Sequence, residues 1–319
     1  MFRYFAMFIL LVVISYLYEK YKLKYEPDEE LKKYDMVRQF LLNGGSGFGE
    51  KPLLWIHTPH PINHRWWPTF GSRNTRLLNQ PYKVSCVETV IKHCSDSFNI
   101  CLIDDYSFQK LIPGWSINMD KIGNPVKSHI RLLALSKLLH SFGGLMIPNS
   151  TIVFKDLKPL YDSALTSNDC FSVNMINHGD TAVYKTMFPT DKILGCKKDS
   201  QVMEKFINYL ERLMATDYTS EQDFLGQSNR WLYEKHLENK LSLIDGKLFG
   251  AQDVDGKEVG IDRLMGNTYI DFSPNKYAIY IPGDEILRRT KYEWFARLSQ
   301  QQLRDCDTIV TKQLLIAQG

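Results

Sequence analysis

The chain has 319 residues, 44% of them hydrophobic and 13% aromatic, enough to bury the core of one large or two small domains and to exclude wholesale disorder. Its 39 Lys and Arg against 36 Asp and Glu leave a formal charge of +3, scattered rather than striped, which argues against a nucleic-acid partner. The six cysteines form no CxxC pair and no metal-ligand spacing, so free thiols beside apolar neighbours are expected.

The first candidate element is the uncharged run at 4–18, YFAMFILLVVISYLY, set between Arg3 and Glu19-Lys20. With Met1 and Phe2 it is long enough to cross a bilayer of about 30 Å at about 1.5 Å rise per residue. Tyr4, Tyr16, Tyr18 and Tyr21 sit where aromatic side chains favour the membrane interface. A cleaved signal peptide would need a small-x-small site after the apolar run, and SYLYEKYKLKYE offers none; a buried core helix is the other alternative. Residues 1–18 are therefore expected to be a single-pass anchor. Lys20, Lys22 and Lys24 follow it against Arg3 before it, so the charge bias predicts a cytosol-facing bulk; a luminal or viral membrane is the alternative.

Residues 19–50 form a charged, helical stem and a glycine-rich joint, NGGSGFGE, that lacks the Gly-Lys-Ser/Thr of a phosphate loop. From 51 the pattern alternates strands and helices, which predicts an α/β sheet with any ligand at the carboxyl ends of its strands. Strands are expected at 53–57 and 99–103, with a helix at 87–93 between them. Asn124-Pro125 predicts a helix start, Asn as N-cap and Pro in the first turn, running to about Ser141 and closed by Gly143-Gly144. Strands follow near 145–147, 151–154, 171–175 and 193–196, then helices at 200–214 and 221–238. Hairpin-like strands at 241–244, 268–272 and 277–281 precede a helical, aromatic segment at 292–304 and a C-terminal tail at 306–319.

Three pieces carry a family resemblance: WIH at 55–57, NICLIDDYSFQKLIPGW at 99–115, and RLLALSKLLHSFGGLMI at 131–147 followed by TIVFKDLKPLY. In this order they resemble the GT-A glycosyltransferases of the capsular-polysaccharide-synthesis and DXD-sugar-binding group, over about residues 53–161. The resemblance implies a GT-A-like (Rossmann-like) domain at 51–305, a nucleotide-sugar donor and a sugar acceptor. It also implies two aspartates, one residue apart, holding a divalent metal just after the Gly-Gly strand. Here those places hold Pro148 and Ser150, with Asn149 between them. Mg²⁺ and Mn²⁺ want anionic oxygens, and these three residues offer none, so a divalent cofactor is not expected there. A second departure lies on the helix, where Leu132 and Leu135 occupy the spacings of the family's Asp and Arg, and Arg131 comes about one turn early. The run 55–180, with INHRWWPTFGSRNT, also resembles membrane-anchored proteins of large DNA viruses.

Candidate donor-binding residues are His57, Asp104, Asp105, Asn149 and Ser150 at strand ends, with Arg73, Lys127 and Arg131 as cations for a diphosphate. Asp223, in SEQDFLG, is the candidate general base, or equally an acidic charge at a helix start. Asp253-Val254-Asp255-Gly256 is a literal D-x-D, but Asp-Gly more often marks a turn. His57, His60 and His64 lack a standard zinc spacing. The cation–aromatic segment from Arg288 to Arg297 either closes over a phosphate or caps the sheet. Two functions remain open: a membrane-tethered transferase that works without a DXD-bound metal, and an inactive transferase fold serving as an anchored structural module.

Overall fold

Three apolar runs build the centre of the sheet. In the computed structural model, which describes residues 51–58, 80–177, 182, 185–216 and 226–319, β1 (Leu53–His57), β2 (Asn99–Ile103) and β3 (Gly144–Pro148) lie side by side and parallel. Leu54, Trp55 and Ile56 are all buried, because a parallel strand covered on both faces has no solvent side. β5 (Cys170–Ile176), β6 (Met187–Cys196) and β7 (Ser242–Ile244) complete the order β2-β1-β3-β6-β5-β7. Only β6 runs antiparallel to its neighbours, so five strands point their carboxyl ends to one edge. The domain is thus mixed α/β with a parallel-dominated sheet.

On one face α3 (Val126–Phe142) packs with α5 (Gln201–Ala215), burying Leu133, Leu138, Phe206 and Leu210 against Trp55 and Met146. A second core joins α1 (Pro81–Cys94), β4 (Thr151–Val153), β8 (Ala278–Tyr280) and α10 (Ile309–Gln318) through Tyr82, Ile152, Ile279 and Leu314. β4 and β8 pair antiparallel as a separate two-stranded sheet. Between these lie α2 (Ser107–Leu111), α4 (Lys158–Ala164), α6 (Gln227–Leu237), α7 (Ile261–Leu264), α8 (Gly283–Arg288) and α9 (Gln300–Asp305).

The Gly-Gly break has a steric reason. Gly143 ends α3 at φ +72°, and Gly144 opens β3 at φ +108°, both in the region that favours glycine. A Cβ on Gly144 would stand 2.2 Å from the Leu53 carbonyl oxygen, so only glycine lets β3 start against β1. The Trp55 indole N–H donates to the Gly143 carbonyl at 3.0 Å and pins the turn to the sheet.

Several expectations change. α1 begins at Pro81, earlier than predicted, because small polar residues (Ser85, Thr89) share its buried face and hide the apolar period. α3 is capped by Pro125; Asn124 accepts from the Ser128 hydroxyl instead of a backbone N–H. The hairpin reading of 241–281 fails. β7 pairs parallel with β5, β8 pairs with β4, and 268–272 contributes one bridge, Asp253 to Phe272. The 292–304 segment is a 3-10 turn, Phe295–Arg297, then α9 with a Ser299 capping box. Residues 306–319, expected as a tail, carry α10, whose Ile309, Val310, Leu314 and Ala317 are core residues. The Lys92 ammonium and a His93 ring nitrogen meet the Gln318 and Ala317 carbonyls at 2.8 and 3.0 Å, placing basic side chains at the end of α10. Among the described residues no helix is long and apolar enough to cross a membrane; the expected anchor at 1–18 lies outside them. The six cysteines are free thiols.

Candidate functional site

The carboxyl ends of β1, β2 and β3 are level, with His57 opposite Ile103 on one side and Pro148 on the other. The chain leaves β2 through Asp104 and Asp105, which do different work. Asp104 accepts from the Ser107 backbone N–H at 2.9 Å and the Ser107 hydroxyl at 2.7 Å, a side-chain turn that leads into α2. Asp105 turns inward and is only 4% exposed. Its Oδ1 accepts from Arg131 Nε at 2.8 Å and from His57 Nε2 at 3.0 Å; its Oδ2 accepts from Arg131 Nη2 at 2.7 Å. Lys127 Nζ stands 3.7 Å from the same Oδ2. Lys127 and Arg131 reach one carboxylate because residues four apart share a helix face. Phe108 of α2 stacks on the His57 ring at 5.4 Å and 9°, fixing its plane.

The electrostatics follow from this geometry. Burial opposes ionisation of Asp105, but the Arg131 fork and the His57 N–H outweigh it and hold the carboxyl well below its ordinary range. Burial pushes His57 down from its ordinary value, more than Asp105 pulls it up. At neutral pH the imidazole is therefore neutral, its Nε2 proton on Asp105 and its Nδ1 an acceptor. With His57 neutral, the cluster keeps one net positive charge from Lys127 and Arg131 against Asp105. Asp105 is a poor proton acceptor at this pH.

At the end of β3, Pro148 offers no ligand and Asn149 is half-buried. Ser150, 4% exposed, donates its hydroxyl to the Ile281 carbonyl at 2.7 Å, and its backbone carbonyl accepts the Ile281 N–H at 2.9 Å, which ties the turn to the end of β8. On β6, Lys192 lies two residues before Leu194, the last partner of β3 through Met146. Its ammonium lies 3.2 Å from the Tyr280 hydroxyl and 3.3 Å from Asp284 Oδ2. Pro148, Asn149 and Ser150 offer no anionic oxygen, and the Ser150 hydroxyl is already bound to Ile281, so this turn does not fit a divalent metal. Among the described residues no group of three His, Cys, Asp or Glu is placed to hold a metal ion.

The structure thus brings His57, Asp105, Lys127 and Arg131 into one cluster and sets Asp104, Asn149 and Ser150 on the same edge. Arg73 and Asp223 lie outside the described residues, as do His60 and His64. The Asp253–Gly256 segment is a turn, with Gly256 at φ +82° and Asp253 bonded to Arg263 at 2.8 Å and to the Lys257 N–H at 2.8 Å. Arg289 pairs with Asp262 at 3.0 Å and Glu285 at 2.6 Å, and the Tyr292 hydroxyl donates to Asp262, so this segment packs as a cap. No motif or spacing in the sequence connects Lys83, Lys192, Tyr280 and Asp284. A first-turn lysine after Pro81 was the one visible signal, since α1 opens with no acidic residue. A cavity of about 350 Å³ beside Lys51, Gly143, Gly144 and Lys198 lies at the opposite, amino edge, away from the strand ends where ligands of open α/β sheets bind.

No protein-family model matches the chain, and no curated protein matches it. Solved structures overlap it at low identity. An active-site mutant of LgtC is 11% identical with a TM-score of 0.38, covering 84% of this chain and 95% of that one. The apo-form glycosyltransferase GlyE of Streptococcus pneumoniae TIGR4 is 11% identical at 0.35, covering 62% of this chain. A glycosyltransferase involved in glycosylation of the major capsid of PBCV-1 is 11% identical at 0.34, covering 61% of this chain and 82% of that one. The overlap spans under half of GlyE, 46% of its length. Scores of this size transfer neither a site nor an activity to this chain.

Proposed function

We propose that this chain is a GT-A-like, membrane-tethered glycosyltransferase that takes a nucleotide-sugar donor and works without a DXD-bound metal. The observation that carries the reading is the convergence of His57, Asp105, Lys127 and Arg131 at the carboxyl ends of β1 and β2, beside the strand opened by Gly143-Gly144. An open α/β sheet offers its ligand crevice at that edge. Asp104 and Asn149, just past the ends of β2 and β3, are the candidates for contact with a ribose or base. Lys127 supplies charge for the diphosphate, with Arg73 as a further candidate. In the reaction an acceptor hydroxyl oxygen bonds to the donor sugar's anomeric carbon and its proton passes to a base, for which Asp223 is the candidate. The bond from that carbon to the diphosphate breaks, and the diphosphate leaves with the electron pair, stabilised by cationic side chains. Residues 1–18 provide the tether, and the lysines after them favour a cytosol-facing domain.

A second reading has its own support. His57 and Arg131 are closed on Asp105, Asp104 on Ser107, and the Ser150 hydroxyl on Ile281, so most of the described candidate donor groups already have partners inside the fold. That favours an anchored structural module that keeps the cleft without the reaction. Titrating the full-length protein with UDP- and GDP-sugars, with Mn²⁺ or with chelator, separates the two. Chelator-insensitive binding followed by release of the nucleoside diphosphate supports the transferase; binding without release supports the module. Absence of binding at millimolar donor would sink the nucleotide-sugar reading.

A further inference from the structure

Resting on the donor reading above, we infer that Lys83 and Lys192 form a phosphate-binding subsite that takes a diphosphate by charge alone, beside the turn Pro148-Asn149-Ser150. The two lysines come from distant elements, the first turn of α1 and the bulged stretch of β6, and approach the consecutive residues Gly283 and Asp284 respectively. A Cβ on Gly283 would stand 2.9 Å from the Tyr82 hydroxyl oxygen, 3.3 Å from Lys83 Cε and 3.5 Å from Ser150 Oγ. Glycine there lets α1, the β3–β4 turn and α8 close on one another. Next to it, Asp284 and Tyr280 hold the Lys192 ammonium at 3.3 and 3.2 Å.

The charge arrangement is costly for folding alone. Lys83 sits in the first turn of a 14-residue helix, where the macrodipole disfavours a cation, and no acidic residue accompanies it. Among the described residues it has no ion pair. Burial pushes Lys83 below its ordinary value and the nearby Lys192 charge adds to this, against the pull of Asp284. A half-buried ammonium beside a second one, at a positive helix end, is relieved by an arriving anion. Asp284 acts on both lysines, Asp191 acts on Lys192, and Arg288 acts on Asp284, so three cations face two carboxylates and the group keeps a net positive charge. A diphosphate carries the opposite sign and the reach to meet ammonium groups as point charges.

The test is calorimetric titration of the full-length protein, in chelator, with inorganic pyrophosphate, UDP and uridine, on wild type and on Lys83→Gln, Lys192→Gln, Lys83→Arg, Lys192→Arg and Asp284→Asn. The expected result is that wild type binds pyrophosphate and UDP, each Gln variant weakens both by about tenfold, the Arg variants keep most of the affinity, and Asp284→Asn tightens binding. Uridine affinity should not move. The Arg variants separate loss of charge from loss of fold. Pyrophosphate affinity within about twofold of wild type in both Gln variants overturns the subsite. If those variants also bind UDP normally, the donor reading survives and the subsite falls. If pyrophosphate binds through the lysines while no nucleotide sugar binds, the subsite stands and the donor reading falls. Wild type that binds neither ligand in chelator overturns both.

Discussion

Changing Arg131 to Leu strips two bonds from Asp105, at 2.8 and 2.7 Å, and leaves His57 at 3.0 Å and Lys127 at 3.7 Å. Breaking a buried ion pair from one side costs about 3–5 kcal/mol, because the remaining charge keeps its desolvation penalty. Arg131 is 20% exposed and two partners remain, so the low end applies, about 3 kcal/mol. For a domain of this size that is a fall in Tm of about 6–12 °C. The pH dependence has a definite sign. In wild type the folded Asp105 pKa is depressed, so its contribution is complete above the unfolded carboxylate value near about 3.9 and is lost as pH falls through the folded value. In the variant burial dominates and raises that pKa, so the variant gains relative stability as pH falls through the raised value. Urea unfolding at pH 7 and pH 4 should therefore show the gap narrowing towards acid. Adding Asp105→Asn should return about 1.5 kcal/mol or more of the loss at pH 7. A cost under about 1 kcal/mol, or strict additivity of the two changes, would refute the account of the cluster.

Gly144→Ala should cost more than about 3 kcal/mol, since its Cβ overlaps the Leu53 carbonyl, whereas Gly114→Ala, with an open surround, should cost only the about 1–2 kcal/mol of its positive φ; equal midpoint shifts in urea would contradict this. His57 has a depressed folded pKa, so wild type should lose stability as pH falls from about 6.5 through that lower value, and His57→Asn should flatten the slope. Midpoints measured at pH 7.5, 6.5 and 5.5 check it; an unchanged slope speaks against a neutral, buried His57. Deleting residues 306–319 removes Ile309, Val310 and Leu314 from the second core at about 1.5–3 kcal/mol each, comparable to a whole domain's stability of about 5–15 kcal/mol. Loss of the cooperative thermal transition is expected, and a truncated chain melting as wild type does would show that α10 is dispensable.

The parallel half of the sheet was legible because β1, β2 and β3 are uninterrupted apolar runs bounded by His, Asp-Asp and Gly-Gly punctuation. The amino-terminal half of β6 was not. Pro189, Asp191 and Lys192 break its apolar pattern, and the strand survives as a bulge tied by Ser172 to the Thr190 carbonyl at 2.7 Å and by Ser228 to Asp191 at 2.5 Å. At the site, Lys127 and Arg131 could be read as one helix face, and Asp104-Asp105 as a strand end. Which aspartate would turn inward was decided by packing: Ser107 claims Asp104, and His57 and Arg131 claim Asp105. Lys83 and Lys192 reach one place only through the tertiary fold, Lys83 beside Gly283 and Lys192 beside Asp284, and no period or spacing connects them.

The glycine pair that opens β3 sets its register against β1 at the amino edge, while the turn Pro148-Asn149-Ser150 leaves from the carboxyl edge. The two are separated by the five residues of β3, about 16 Å of extended chain. Alignment is thus secured at one end of the strand, and the turn is formed at the other. Substitutions at the half-buried Pro148 and Asn149 do not ask the sheet to re-register, whereas a single methyl group at Gly144 cannot be absorbed anywhere. Mutational tolerance should therefore be graded along this one strand, highest at its end and lowest at its beginning.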